Sequence, residues 1–161
     1  MKYVLDASAI LSGKDISSQE KLYTSPLIVE EIAHGRMRRH LDYLIEAGLE
    51  VLTPSERALH KVKKTAVDSG DIGRVSQADM EVLALARELE AVLLTDDYSI
   101  QNLASILNIK YQGIAQEGIK ETYTWKFRCK GCGRYYDEMY ETCMVCGSDL
   151  KTIRKSSSRK P

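Results

Sequence analysis

The 161-residue sequence has no long apolar run, no excess of charge of either sign and no glycine-rich phosphate loop. No segment approaches the ~18 apolar residues that a membrane-spanning helix needs, and the apolar part of the N-terminus is too short for a secretory signal. We therefore expect a cytoplasmic protein with no membrane partner. The patterns Gly-x-x-x-x-Gly-Lys-Ser/Thr and Gly-x-Gly-x-x-Gly are both missing, so neither signal of nucleotide binding is present.

Composition and length are those of one folded domain with a small appendage. With 43% hydrophobic and 29% charged residues, the chain is neither disordered nor collagen-like, and it does not fit a disulfide scaffold. Its length does not suffice for two domains with independent cores.

Charge is distributed unevenly, although the formal net charge is zero. Residues 1–119 carry 13 Lys and Arg against 18 Asp and Glu, whereas residues 120–161 carry 10 against 5. Residues 151–161 hold five basic side chains and no acid, and we expect them to form a flexible basic tail. Because basic patches attract phosphate backbones, this asymmetry favours an acidic site brought to a polyanion by a basic module. A tail that only improves solubility is the alternative.

All four cysteines lie in two Cys-x-x-Cys-Gly turns separated by ten residues. Four thiolates at these spacings suit a tetrahedral metal ion, and the hairpin between them outlines a zinc ribbon. Because four sulfur ligands leave no open position for chemistry, we expect one structural Zn²⁺. Its ligands would be Cys129, Cys132, Cys143 and Cys146. Rubredoxin-like iron and a pair of redox dithiols are the alternatives.

Residues 1–118 alternate short apolar runs with helical patterns, which predicts an α/β fold with a parallel sheet flanked by helices. Strands are expected at residues 3–5, 50–52, 91–94 and 109–111. Helix starts are marked by Ser25, by Ser55 and by a capping box from Ser76 to Asp79, and helix ends by Gly48 and Gly70. The alternation ends between residues 113 and 121, so we assign residues 119–150 to the zinc ribbon.

Six acidic residues lie after predicted strands or near the starts of predicted helices. The carboxyl ends of the strands form the edge of the sheet where active sites of such folds lie. They are Asp6 after the first strand, Asp96 and Asp97 after the third, Asp79 in the first turn of a helix, and Glu30 and Glu31 about one turn into another. Taken singly, each is typical of a cap or a turn. Converging carboxylates repel one another unless a divalent cation lies among them, and oxygen ligands select Mg²⁺ or Mn²⁺. Such a cluster suits phosphodiester hydrolysis by metal-activated water.

The segments that carry these acids resemble, in order and rough spacing, the motifs of PIN-domain ribonucleases. They are Val4-Leu-Asp-Ala-Ser-Ala9, Thr24-Ser-Pro-Leu-Ile-Val-Glu-Glu-Ile32, Ser76-Gln-Ala-Asp79 and Leu94-Thr-Asp-Asp-Tyr-Ser-Ile-Gln-Asn102. With the four-cysteine ribbon behind them, nearly the whole chain is similar to the Nin-one-binding protein family in its compact, archaeal-type form. Members of that family are endonucleases that trim the 3′ end of small-subunit ribosomal RNA (rRNA).

This resemblance implies a PIN-like (Rossmann-like) sheet and a set of catalytic carboxylates. The catalytic residues would be Asp6, Glu31, Asp79 and Asp97, and Asp6, Asp79 and Asp97 would bind Mg²⁺ or Mn²⁺. Glu30 is the alternative to Glu31, and Asp96 is the alternative to Asp97.

Basic and aromatic side chains supply candidate RNA contacts. Arg36, Arg38 and Arg39 follow the helix of Glu31, where RNA entering an acidic site needs neutralising contacts; a solvated helix face is the alternative. The ribbon candidates are Lys126, Arg128, Lys130, Arg134 and Tyr135. The aromatic side chains Tyr123, Trp125, Phe127 and Tyr136 suit either base stacking or the core of a small ribbon.

We therefore expect a metal-dependent endoribonuclease that processes a single-stranded region of precursor small-subunit rRNA within the pre-ribosomal particle. Water attack would leave a 5′ phosphate and a 3′ hydroxyl. The resemblance also implies a KH-domain assembly factor as a partner. The alternatives are a toxin-type PIN ribonuclease, which the ribbon disfavours, and a non-catalytic assembly factor that binds rRNA.

Overall fold

A five-stranded parallel sheet organises the first part of the computed structural model, which describes residues 1–12, 19–114 and 121–159. The strands are β1 (Lys2–Leu5), β2 (Lys21–Thr24), β3 (Glu50–Val51), β4 (Val92–Leu94) and β5 (Tyr111–Gln112). Their order is β3-β2-β1-β4-β5, and all four neighbouring pairs are parallel. The predicted α/β fold is confirmed. Strand β2 was not predicted, because its sequence Lys-Leu-Tyr-Thr is too short and polar to stand out as an apolar run.

The strand order reverses at β1, which pairs with β2 on one side and β4 on the other. Val4 lies in register between Tyr23 and Leu93. In open α/β sheets, ligands bind outside the carboxyl ends of the strands at such a reversal. Asp6 follows β1 and Thr95 follows β4, so the fold brings both strand-end acidic segments to this edge.

Six α-helices and one 3₁₀ turn complete this unit within the described residues. They are α1 (Ala7–Leu11), α2 (Pro26–Ala33), α3 (Arg38–Glu46), α4 (Glu56–Ser69), the 3₁₀ turn (Asp71–Gly73), α5 (Gln77–Leu89) and α6 (Tyr98–Ile106). The predicted caps are confirmed, since the side chains of Ser25, Ser55 and Ser76 accept backbone N–H bonds at the starts of α2, α4 and α5. Gly70 ends α4 in the left-handed region, at φ 83°.

Helix α5 is largely buried against the sheet and its neighbouring helices. Val82, Leu83 and Ala84 have no exposed surface, and α5 contacts α2, α4 and β1. Because Asp79 lies in the first turn of α5, this packing fixes its carboxylate relative to β1. No helix in the described part of the chain is both long and apolar enough to cross a membrane.

The C-terminal part forms a second, antiparallel sheet in the order β7-β6-β8. Its strands are β6 (Glu121–Cys129), β7 (Tyr135–Tyr136) and β8 (Leu150–Arg159). The flexible tail expected from residue 151 is wrong for residues 151–159, because backbone pairing with β6 outweighs the low strand propensity of this Ser- and Lys-rich segment. Residues 160 and 161, and the domain boundary expected at 118/119, lie outside the described residues.

Candidate active site and metal centre

Asp6 lies at the carboxyl end of β1, where it caps α1 and is only 2% exposed. Its Oδ1 accepts hydrogen bonds from the Ala9 backbone N–H at 2.8 Å and from the Ser8 hydroxyl at 2.7 Å. Its Oδ2 accepts a hydrogen bond from the Thr95 hydroxyl. Burial raises the pKa of the Asp6 carboxyl, and these three hydrogen bonds oppose the rise. The carboxylate is therefore held in one orientation.

Thr95 and Asp97 follow β4, the neighbouring strand. The Thr95 hydroxyl donates to Asp6 and accepts the backbone N–H of Asp97 at 3.1 Å, so it connects the ends of β1 and β4. Asp97 caps α6, because its Oδ1 accepts the backbone N–H groups of Ser99 at 2.8 Å and Ile100 at 3.2 Å. The cap orients the exposed Asp97 side chain at the edge of the sheet.

Asp79 and Glu31 reach the same edge from helices. Asp79 Oδ2 accepts the Ser76 backbone N–H at 2.7 Å, while the Ser76 hydroxyl accepts the Asp79 N–H at 3.1 Å. Burial, and then the charge of Asp97, raises the pKa of Asp79. Burial, and then the charges of Asp79 and Asp6, raises the pKa of Glu31. Asp6, Glu31, Asp79 and Asp97 thus repel one another across this edge, and we call them the acidic cluster.

The two alternative acids are oriented differently. Asp96 Oδ1 accepts the backbone N–H of Ile114 at 2.7 Å, so it ties the segment after β5 to the end of β4. Glu30 and Glu31 are both exposed on α2, and after burial the charges of Asp79 and Asp6 raise the pKa of the Glu31 carboxyl. Asp96 thus bonds to the segment after β5, whereas Asp97 caps α6.

Three residues that position the acidic cluster were not predicted from the sequence. Ser8 donates to Asp6 and accepts the backbone N–H of Asp96 at 3.0 Å, and Thr95 joins Asp6 to Asp97. Glu81, 9% exposed, accepts the Leu27 N–H at 3.3 Å in the first turn of α2, so it orients the helix that carries Glu31. The sequence feature that could have identified Ser8 and Thr95 is a hydroxyl side chain within two positions of an acid that follows a strand.

The acidic cluster has the donor set of a hard divalent cation. Mg²⁺ and Mn²⁺ prefer carboxylate oxygens, and positive charge would relieve the repulsion that adds to the effect of burial on these pKa values. Among the described residues, the acids are not drawn together closely enough to enclose an ion by themselves. Mg²⁺ usually binds one or two protein carboxylates and keeps several water ligands. The donor chemistry of the acidic cluster therefore suits a hard divalent cation.

The four cysteines converge at one end of the second sheet, with their Sγ atoms within 4.8 Å of one another. Cys129 lies 3.2 Å from Cys146 and Cys132 lies 3.7 Å from Cys143, measured between Sγ atoms, and no disulfide joins them. Gly133 and Gly147 adopt φ of 78° and 74° at the two turns. The predicted four-cysteine cluster is confirmed, and its geometry is suited to zinc.

Hydrogen bonds favour the thiolate form of two of the four cysteines, whereas burial and the neighbouring cysteines raise the pKa of Cys132 to about 11. The Tyr136 hydroxyl lies 3.1 Å from Cys143 Sγ and lowers the pKa of Cys143 to about 5. Hydrogen bonds from Ser148 lower the pKa of Cys146 to about 7. Because the thiolate is the form that binds metal, these contacts prepare the cluster for an ion.

The basic candidates lie at two places on the surface. Arg36, Arg38 and Arg39 are exposed between α2 and the first turn of α3, and Arg128, Lys130 and Arg134 are exposed on the ribbon. The Arg128 guanidinium lies 5.4 Å from the centre of the Tyr135 ring, which is 56% exposed. Lys126 is half-buried and pairs with Asp137 at 3.4 Å.

Most aromatic candidates have structural contacts. Phe127 is buried in the ribbon, Tyr136 contacts Cys143, and the Trp125 indole donates to Asp71 at 2.7 Å. The Tyr123 side chain lies outside the described residues. Tyr135 is therefore the better-placed candidate for base stacking.

Comparison with known proteins identifies the family. Residues 3–89 match the family described as the PIN domain of ribonuclease. The chain is 42% identical over 156 residues to endoribonuclease Nob1 of Pyrococcus abyssi, covering 95% of this chain and 94% of that protein. It is 36% identical over 163 residues to ribonuclease VapC1 of Thermoplasma acidophilum, covering 99% and 84%. It is 30% identical over 102 residues to the 20S-pre-rRNA D-site endonuclease NOB1 of Saccharomyces cerevisiae, covering 61% and 22%.

The family match spans the strand and helices that carry Asp6, Glu31 and Asp79, and the archaeal relative also covers the ribbon. The chain therefore belongs to the Nob1, or Nin-one-binding, family of PIN-domain endoribonucleases, which process ribosomal RNA.

Proposed function

We propose that this endoribonuclease cuts precursor small-subunit rRNA at its 3′ end, and that the acidic cluster holds Mg²⁺ or Mn²⁺ beside the bond that is cut. The observation that carries the proposal is that Asp6 and Asp97, joined through Thr95, lie at the strand-order reversal between β1 and β4, with Asp79 and Glu31 close enough for their charges to act on this group. The name of the yeast relative, which refers to cleavage of a pre-rRNA, supports the choice of substrate.

In this proposal Asp6, Asp79 and Asp97 bind the cation, and Glu31 completes the cluster. A bound divalent cation lowers the pKa of a water ligand and offsets charge on the scissile phosphate. Thr95 and Ser8 hold the Asp6 carboxylate, and helix caps hold Asp79 and Asp97, so the donor atoms are oriented before RNA binds. Water adds to phosphorus, the bond to the 3′ oxygen breaks and that oxygen takes a proton, leaving a 5′ phosphate and a 3′ hydroxyl.

The ribbon and the arginine segment would guide the RNA. We assign the nuclease unit to residues 1–118 and the RNA-presenting unit to the residues after it, with one structural Zn²⁺ on the four cysteines. A single-stranded RNA region would contact two sets of side chains, Arg36, Arg38 and Arg39 on the nuclease unit, and Lys126, Arg128, Lys130, Arg134 and Tyr135 on the ribbon. A KH-domain assembly factor is the proposed protein partner within the pre-ribosomal particle.

The test is cleavage of an RNA spanning the 3′ end of precursor small-subunit rRNA, with Glu31→Gln and Glu30→Gln as a matched pair. Wild type should make one discrete, cation-dependent cut. Removing a residue that only supports metal ligands lowers metal affinity or activity by about 10–100-fold. Glu31→Gln should therefore lose at least that much cleavage activity, while Glu30→Gln should keep the wild-type activity. Scattered cuts would indicate a toxin-type ribonuclease, as the similarity to VapC1 allows, and equal losses in both variants would contradict the assigned cluster.

A further inference from the structure

The contact between ribbon strand β6 and the nuclease body is built around a buried carboxylate, Asp71. This residue has no exposed surface. Its Oδ1 accepts the Trp125 indole N–H at 2.7 Å, and its Oδ2 accepts the Ser69 hydroxyl at 2.6 Å and the Asn102 amide at 3.1 Å. One side chain therefore connects the end of α4, helix α6 and strand β6.

Two further contacts hold Trp125 from other directions. The Arg74 guanidinium lies 3.6 Å from the centre of the indole ring, a distance at which a cation is attracted to the ring face. The backbone of β6 also presses on Gly70, because a Cβ at Gly70 would lie 2.5 Å from the Trp125 carbonyl oxygen. We call Gly70, Asp71, Arg74, Asn102 and Trp125 the Trp125 junction.

The Trp125 junction lies on the same rigid elements as the two metal sites. Cys129 follows Trp125 by four residues on β6, about 14 Å along an extended strand. Asp97 precedes Asn102 by five residues at the start of α6, about 7.5 Å along the helix axis. A shift at the junction would therefore move the cysteine cluster relative to the acidic cluster.

Separating the two units at this junction is unfavourable. A buried carboxylate is tolerated where hydrogen bonds and charge compensate it, and Trp125 and Arg74 supply part of that compensation for Asp71. Removing β6 would take the indole donor away from Asp71 and the ring away from Arg74. The contact thus favours one docked arrangement.

We propose that the Trp125 junction fixes the zinc ribbon at one position on the nuclease body, and thereby sets the distance between the RNA segment held by the ribbon and the phosphodiester that is cut. This inference rests on the proposed function. Asp71, Arg74 and Trp125 act as positioning residues that select the cut. A docked ribbon presents its RNA in one register, whereas a ribbon on a loose tether samples a range of distances.

The test uses full-length, zinc-loaded protein and two RNAs: the long precursor, and a short single strand that reaches only the acidic cluster. The variants are Asp71→Ala, which removes the acceptor for the Trp125 indole, and Arg74→Glu, which at an exposed position replaces the cation over the Trp125 ring by a charge that repels Asp71. Both should cut the short RNA within about twofold of wild type, but should cut the long RNA at several positions with kcat/KM lower by roughly tenfold. Asp71→Asn, which keeps an acceptor for Trp125, should restore the single cut.

Fluorescence gives a second readout that is independent of cleavage, because Trp125 is the one tryptophan in the chain. Quenching by acrylamide should increase in Asp71→Ala and Arg74→Glu and return to the wild-type level in Asp71→Asn. The inference is overturned if Asp71→Ala and Arg74→Glu both expose Trp125 yet keep the single wild-type cut. It is also overturned if neither variant exposes Trp125. Wild-type protein that cuts neither RNA contradicts the proposed function instead, so the two failures are distinguishable.

Discussion

Replacing Thr95 by Val should damage the cation site far more than it damages the fold. Val keeps the shape of Thr without the hydroxyl, so the change removes the hydrogen bond to Asp6 Oδ2 and the one accepted from the Asp97 N–H. Thr24→Val is the matched control. Thr24 is also fully buried at the carboxyl end of a strand next to β1, but its hydroxyl donates to the Leu5 carbonyl oxygen at 2.8 Å.

The expected magnitudes separate the two variants. Each leaves a buried partner without its hydrogen bond, which costs about 1–3 kcal/mol, and 2 kcal/mol lowers the Tm of a chain of this size by about 4–8 °C. Both variants should therefore lose stability, Thr95→Val somewhat more. Only Thr95→Val removes a hydrogen bond to a carboxylate of the acidic cluster. Losing a hydrogen bond that orients a metal ligand lowers metal affinity or activity by about 10–100-fold.

The pKa of Asp6 adds a pH dependence to this prediction. Burial raises the pKa of Asp6 and the Thr95 hydroxyl opposes that rise, so removing the hydroxyl raises the pKa further. A proton then competes with the cation more strongly at low pH. The deficit of Thr95→Val should grow as the pH falls.

The assay is a manganese titration of precursor cleavage by wild type and both variants at two pH values. Thr95→Val should need about 10–100-fold more Mn²⁺ for half-maximal rate, whereas Thr24→Val should follow the wild-type curve. Equal shifts for the two variants, or a wild-type manganese requirement for Thr95→Val, would refute the role of Thr95 in holding Asp6.

Three further predictions concern the ribbon and its contact with the body. Gly48→Ala, the control, should lower the free energy of unfolding by about 1–2 kcal/mol because the φ of Gly48 is positive. Gly70→Ala should lower it by at least twice as much in thermal unfolding, because the added Cβ also meets the Trp125 backbone. Equal losses of stability would contradict the close contact. Purified protein should contain one zinc per chain by metal analysis, and chelation should unfold β6–β8 before the parallel sheet; iron, or no metal, would overturn the zinc assignment. Burial raises the pKa of Asp71 above its usual 3.8, with Arg74 opposing, so the folded state keeps this proton to higher pH than the unfolded state. The stability contributed by Asp71 is therefore greatest below pH 3.8 and falls as the pH rises through the raised value. Urea unfolding of wild type and Asp71→Asn across this range should show a difference that changes with pH, and a constant difference would contradict the shift.

Features fixed by neighbouring residues were predictable from the sequence. The serine caps at Ser25, Ser55 and Ser76 depend on one helical turn, and the cysteine turns depend on a few residues each. The acids after β1 and β4 could be assigned to one edge because parallel strands share their carboxyl ends.

Features that depend on distant residues were not predictable. The segment after Leu150 has the composition of a tail, and it becomes strand β8 because β6 offers a partner. Asp71 and Trp125 are 54 positions apart, and nothing local to either residue indicates the other. Thr95 and Asp6 are 89 positions apart, so their contact follows from the pairing of β1 with β4.

The measurement that tests the central claim most directly is end mapping of the RNA products made by wild type and Asp6→Asn, with manganese added and zinc bound. Asn keeps the shape and the capping oxygen of Asp6 while losing the charge that a cation needs. We predict one cut at the 3′ end of small-subunit rRNA, with a 5′ phosphate on the downstream fragment, dependent on the cation and lost in Asp6→Asn. Cleavage by Asp6→Asn at the wild-type rate, or RNA binding by wild type without any cut, would contradict the account.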